Sequence, residues 1–224
     1  IRVNTYGHGY FLSPLTYGLE FGWADSSFFF NDGYAWFHQV PYVGSVKMGV
    51  FTSPMSMESL QSSSTLPMME TASAVSAFAP GDKLGVQIGG SMLDRRGTLY
   101  GGIFSDVVDT ETTDGSGSSY RFMARTTWLP IIAHNTNGIP RLIHFGASVS
   151  YRRSPSDGVQ FRSRPESYQA PYLIDTGKLY GNHSLILGLE AATQTGPMLL
   201  QGELFYANAD DALDEIHQFF GAYI

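Results

Sequence analysis

Residues 144–167 read HFGASVSYRRSPSDGVQFRSRPES. Two short runs of alternating polar and apolar residues meet there at Arg152, Arg153 and a Ser-Pro-Ser-Asp-Gly turn. In the first run Phe145, Ala147, Val149 and Tyr151 fall on one face of a strand, and His144, Gly146, Ser148, Ser150 and Arg152 on the other. The division follows from the pleat, in which successive side chains point to opposite sides. The second run places Arg162 and Arg164 together on its polar face. A sheet that is greasy on one side and charged on the other needs two different surroundings.

The same alternation recurs along the chain. Tyr17, Leu19, Phe21 and Trp23 oppose Thr16, Gly18, Glu20 and Gly22; Val46, Met48 and Val50 oppose Ser45, Lys47 and Gly49. Tyr120, Phe122, Ala124 and Trp128 oppose Arg121, Met123, Arg125 and Thr127, and Leu185, Leu187, Leu189 and Ala191 oppose Gly188, Glu190, Ala192 and Gln194. Expected strands are 3–12, 15–23, 27–39, 44–52, 83–92, 96–105, 118–129, 141–153, 158–164, 182–194, 197–207 and 215–224, with a shorter extended piece at 169–174. The polarity of 27–39 is ambiguous, since Phe28, Phe29 and Phe30 fill both faces ahead of Asp32.

Alternation alone fits a soluble sandwich as well as a transmembrane barrel. Three features favour the barrel. Most strands are about 8 to 12 residues long, against about 5 to 6 in ordinary domains and roughly 9 to 11 for a tilted membrane crossing. The polar faces are rich in Gly, Ser and Thr. Aromatics gather near strand ends at Tyr10, Trp23, Trp36, Trp128, Tyr151 and Tyr206, as interfacial girdles do.

Composition agrees and excludes several classes. Among 224 residues there are 25 Gly, 13 Tyr and 15 Phe, and only 15% are charged. Without cysteine there is no disulfide framework and no thiolate chemistry. A net charge of −7 argues against nucleic acid as a partner. No run approaches the ~18 apolar residues of a spanning helix. The first residue, Ile1, has no signal-like region behind it, so the expectation is a chain whose leader was removed or a segment of something longer.

Residues 53–82, SPMSMESLQSSSTLPMMETASAVSAFAPGD, break the rhythm with three prolines, four methionines and no strand alternation. A connection this long is uncommon and usually functional. It is either a solvent-exposed loop with a short helix near Met68 to Ala77, or a loop folded into a lumen that narrows a pore.

Several stretches carry a family resemblance. PYVGSVKMGVFTSPMSMESLQSS (Pro41–Ser63), LPMMETASAVSAFAPGDKLGV (Leu66–Val86), the opening segment, LIDTG at 173–177, and LGLEAA with GPMLLQGELFY within 187–206 follow one another in the order seen in phosphate-selective porins. The chain resembles that family over roughly 27–224. The resemblance implies an all-β fold, a transmembrane antiparallel β-barrel of 16 strands in the bacterial outer membrane, usually a homotrimer, passing small anions. About 12 of those strands are expected here, so 1–224 is expected to be one barrel domain that covers only part of the closed wall. Where the family commonly carries Lys after the residue matching Phe51, this chain has Thr52; Thr71 and Asp82 likewise stand where basic residues are common. Phosphate selectivity is therefore not carried over.

With polar faces inward, Lys47, Arg121, Arg125, Arg152, Arg162 and Arg164 are candidate channel-lining cations, and Glu20, Asp32, Glu190 and Glu203 candidate anions on the same side. Glu58 and Glu70 are the carboxylates of the candidate constriction loop. Charges on opposing walls filter ions by sign and size. Each arginine has a plain alternative as a structural ion pair.

A catalytic role finds no support. His144 and Ser148 share a face but lie about 13 Å apart, too far for a nucleophile and its base. No histidine falls in a metal-binding spacing and no cofactor is implied; the acidic run 209–215 reads as a solvated turn. The expectation is a water-filled porin for small polar or anionic solutes, with outer-membrane lipid around it. The alternatives are a plugged barrel serving as an envelope scaffold and a soluble carbohydrate-binding sandwich.

Overall fold

A computed structural model describes residues 2–11, 13–24, 27–62, 65–105, 119–134, 140–153, 158–167, 169–213 and 215–224. Eleven long strands form one antiparallel meander. They are β1 (Arg2–Phe11), β2 (Ser13–Ala24), β3 (Ser27–Val40), β4 (Gly44–Thr52), β5 (Asp82–Met92), β6 (Gly97–Ser105), β7 (Tyr120–His134), β8 (Pro140–Arg153), β11 (His183–Thr195), β12 (Met198–Asp210) and β13 (Ile216–Tyr223), with each pairing the next. A helix, α1 (Ser73–Phe78), and a two-stranded pair, β9 (Arg162–Ser163) with β10 (Ile174–Asp175), lie between them in sequence. The edges of the sheet are β1 and β13, and the two do not pair with each other among the described residues.

What separates this sheet from a water-soluble one is which face is buried. Leu189 is 57% exposed while its neighbour Glu190 is 6% exposed. Phe122, Trp128, Phe145, Leu187 and Leu204 are open in the same way, whereas Arg121, Ser150, Arg152 and Glu203 are buried. Leaving so many large apolar side chains against water would forfeit roughly 25 cal/mol per Å². Against lipid that penalty vanishes, so the fold is that of a transmembrane barrel. No described helix is long and apolar enough to cross a membrane; the crossing belongs to the strands. At 8 to 15 residues they suit a tilted passage.

The two ends of the sheet differ. Among the described residues, 41–43, 93–96 and 196–197 make tight turns at one end, while 53–62 with 65–81 and 158–167 with 169–182 belong to long connections at the other. Outer-membrane barrels keep short turns on the periplasmic side and long loops outside. Within β7 the register slips between Trp128 and Ile131, around Pro130, which has no N–H for the ladder.

Both long connections fold onto the polar face. Met55, Ala72, Val75 and Phe78 from the first pack with Val159 and Phe161 from the second over Ile186, Phe205, Ala207 and Ala209 of the wall. Phe78 stacks on Phe205 with ring centroids 5.8 Å apart and leans on Phe161 at 5.4 Å.

Two details differ from the sequence expectations. The stretch 158–164 is no wall strand: Val159 bridges Leu179, and only Arg162–Ser163 pairs with Ile174–Asp175. Its apolar residues alternate as in a wall strand, but Phe78 and Phe205 meet them in place of lipid. The helix forms later than expected, at Ser73–Phe78, where Val75 and Phe78 point into this inner core.

Candidate functional site

Glu190 and Glu203 are register partners on β11 and β12, so two carboxylates face inward side by side. Like charges directly opposite are destabilising unless each has its own partners. Glu190 finds them in the wall. Arg125 of β7 donates from Nε to Oε2 at 3.2 Å and from its terminal nitrogen to Oε1 at 2.5 Å, and His144 of β8 bonds Oε1 at 2.7 Å. Arg125 lies on the far side of β8 from Glu190. The side chain crosses over Gly146, where an added Cβ would stand 2.2 Å from Glu190 Oε1. Glycine at 146 keeps that crossing open.

Glu203 finds its partners in the loop. Ser56 Oγ donates to Oε1 at 2.9 Å, Met57 N to Oε2 at 3.1 Å and Glu58 N to Oε1 at 2.9 Å, and Tyr223 OH of β13 adds a fourth bond at 2.9 Å. Ser148 Oγ donates to the Met55 carbonyl at 2.7 Å. Glu58 is itself buried and accepts from Ala72 N at 3.2 Å. Burial, with the Glu203 and Glu166 carboxylates adding to it, raises its pKa above the usual range, against the pull of the Ala72 bond.

Towards the long-loop end a cavity of about 470 Å³ opens between α1, the 158–162 segment and the wall. Lys83, Arg121, Arg152, Arg162 and Lys178 line it, with Ser184 and Gln160 among the neutral groups. Arg121 donates to Ser150 Oγ at 3.2 Å and Arg152 to the Gly158 carbonyl at 2.8 Å, so two of the guanidinium groups are fixed. Beside it a smaller cavity of about 210 Å³ is bounded by Glu70, Thr71, Arg162, Arg164, Glu166 and Tyr172. The Arg162 and Arg164 guanidinium carbons lie 4.5 and 4.6 Å from the centroid of Tyr172.

On the opposite stretch of wall Lys47 is enclosed by rings. Its Nζ is 4.0 Å from the centroid of Tyr34, 4.5 Å from Phe51 and 5.4 Å from Trp36. Glu20 and Asp32 pair in register nearby, and Thr52 Oγ1 donates to Asp82 at 2.6 Å.

The candidate residues thus separate into groups. Arg121, Arg152 and Arg162 share one cavity; Arg125 is bound to Glu190; Lys47 is capped by aromatics. Arg162 and Arg164 sit on the inward-folded connection, not on the wall. Glu203 holds the loop, Glu58 sits within its anchor, and Glu70 borders the smaller cavity. Lys83 and Lys178 were missed. Lys83 shares a face with Gly85 and Gln87, so the alternation of β5 contains its signal; Lys178 lies in an irregular segment and offers none.

One group of possible ligands stands at the β12–β13 turn, where Asp211, Glu215 and His217 offer atoms within 4.8 Å of one another. Asp211 accepts from Leu213 N, Glu215 N and His217 Nε2, bonds that belong to the turn itself. The His217 bond and those amides hold its pKa below the usual carboxylate range.

A family model described as phosphate-selective porin O and P matches residues 5–224. An uncharacterized protein of Caulobacter vibrioides is 26% identical over 235 residues, which cover 99% of this chain and 45% of that protein. The chain therefore spans less than half the length of this curated relative.

Proposed function

Because the chain belongs to the phosphate-selective porin O and P family of outer-membrane proteins, we propose that it forms wall and constriction of a diffusion channel for small solutes, with a preference for anions. The observation that carries this reading is the convergence of Lys83, Arg121, Arg152, Arg162 and Lys178 on one cavity beneath the inward-folded loops. Cations grouped at a constriction with low-dielectric walls raise the local concentration of anions and repel cations. Of the inward carboxylates, Glu190 is bound to Arg125 and Glu203 to loop donors, and neither lines this cavity. The exposed leucine and phenylalanine face argues against a soluble carbohydrate-binding sandwich, and we read the protein as a channel rather than an enzyme. By family resemblance we take the working assembly to be a homotrimer in outer-membrane lipid.

The test is the reversal potential of the full-length protein in a planar bilayer under a KCl gradient. Anion selectivity, weakened by Arg152→Glu and Arg162→Glu, is the expected result. Cation selectivity, or indifference to both substitutions, overturns the anion assignment. A second reading, the plugged scaffold, is favoured by one observation: segments of two connections cover the inner face of β11 to β13. Correct insertion without conductance would support it.

A further inference from the structure

The loop 53–81 is tethered at two places far apart on the sheet. Its stem closes on the β4–β5 hairpin, where Thr52 and Asp82 are register partners and Ser53 N donates to the Gly81 carbonyl at 3.0 Å. Its body is bound to β8, β12 and β13 through Ser148, Glu203 and Tyr223. From β4 to β12 the sheet order takes six steps, about 29 Å along the sheet at one strand spacing each. The loop is therefore strung as a chord across the concave side of the wall.

At the far end of that chord one side chain receives most of the hydrogen bonds. Glu203 is 4% exposed and takes donors from three consecutive loop residues. The turn that presents them is held by its own bonds: Ser59 N donates to Ser56 Oγ at 3.1 Å, and Gln61 N to the Glu58 carbonyl at 3.0 Å. Converging N–H and O–H groups of this kind make a concavity for one anion, and bonds to a charged acceptor are the strong ones. Its register partner Glu190 serves as contrast, being equally inward but engaged with wall residues alone.

The geometry points to Glu203 as the positioning residue that holds the loop across the lumen and so sets the width of the passage. The inference rests on the channel reading for the word passage, but the position of the loop is measurable without any current.

The chain has no cysteine, so Leu60→Cys, at an exposed loop position two residues past Glu58, takes a single nitroxide label. In the refolded full-length protein the label is expected to be immobilised. Glu203→Gln should raise its mobile-to-immobile ratio about tenfold, the scale of one lost charge-assisted hydrogen bond. Tyr223→Phe, which removes one donor and spares the carboxylate, should give a smaller rise and carries the test should Glu203→Gln fail to fold. Glu190→Gln should leave the label unchanged. An immobile label in folded Glu203→Gln, or equal release by Glu190→Gln, overturns the proposal. A released label in a protein that inserts but never conducts upholds the clasp and overturns the channel reading instead.

Discussion

On β3 to β6 the inward side chains pack on one another: Lys47 lies among Tyr34, Trp36 and Phe51, and Phe51 meets Phe104 with ring centroids 5.6 Å apart. On β8 to β13 the same alternation faces a second layer of chain, and Phe205, Ala207 and Ala209 are covered by Phe78, Val159 and Phe161. Outward, the two regions are alike, with Val86 and Ile88 as open as Leu187. The period of two fixes which residues leave the lipid. What they meet on the other side depends on whether a loop is long enough to reach them.

The sharpest way to break this comparison is to empty the two inner cores separately. Phe205→Ala and Phe51→Ala should each cost about 3 to 5 kcal/mol in urea titrations of the refolded protein. Only Phe205→Ala should also speed protease cleavage between Met55 and Gln61, because only that core contains the loop. Equal cleavage in both variants would mean that the loop does not depend on the β12 wall.

Somewhat smaller effects test the outer faces. Leu189→Arg and Ile88→Arg should each destabilise by about 2 to 4 kcal/mol if their sites lie near the bilayer midplane. A cheap substitution on one side alone would show that side to face something other than lipid. Lys47→Met should cost about 0.5 to 2 kcal/mol by the same titration, the range for a partly desolvated cation over aromatic faces. Stabilisation instead would mean that desolvation of the ammonium outweighs its rings.

The smallest effects concern protons. Glu58 binds its proton more tightly in the folded chain than in the unfolded one, because burial raises its pKa. Its contribution to stability is therefore fully present below the unfolded carboxylate value and is lost as pH rises through the folded one. Glu58→Gln should flatten the stability profile across that window. Asp211 behaves in the opposite sense: the His217 bond and turn amides depress it, so its contribution exists above the unfolded value and is lost as pH falls through the folded one. Asp211→Ala should therefore lower stability above that window and converge on the parent below it.

The wall was legible in the sequence because each strand pairs its neighbour and shows its own two faces. Glu190 and Arg125 could be assigned inward from alternation, though not to each other, since their bond depends on the bare backbone of Gly146 between them. The stretch 158–164 carries a wall strand's alternation and was read as one. Nothing within it reveals that aromatic rings, not lipid, await its apolar side. Glu203 was assigned inward, yet its role as an anchor rests on partners at Ser56, Met57 and Glu58, which no local pattern links to it.

That separation has a kinetic consequence. The wall grows by hairpins between sequence neighbours, whereas the bonds of Glu203 to the loop join residues 145 to 147 positions apart. Contacts so distant along the chain come late, since the entropy of closing the intervening segment must first be met. The Glu203 clasp cannot close until β12 stands beside β11. The assembling sheet therefore passes through a wider state in which the wall exists and the crossing chord is still loose.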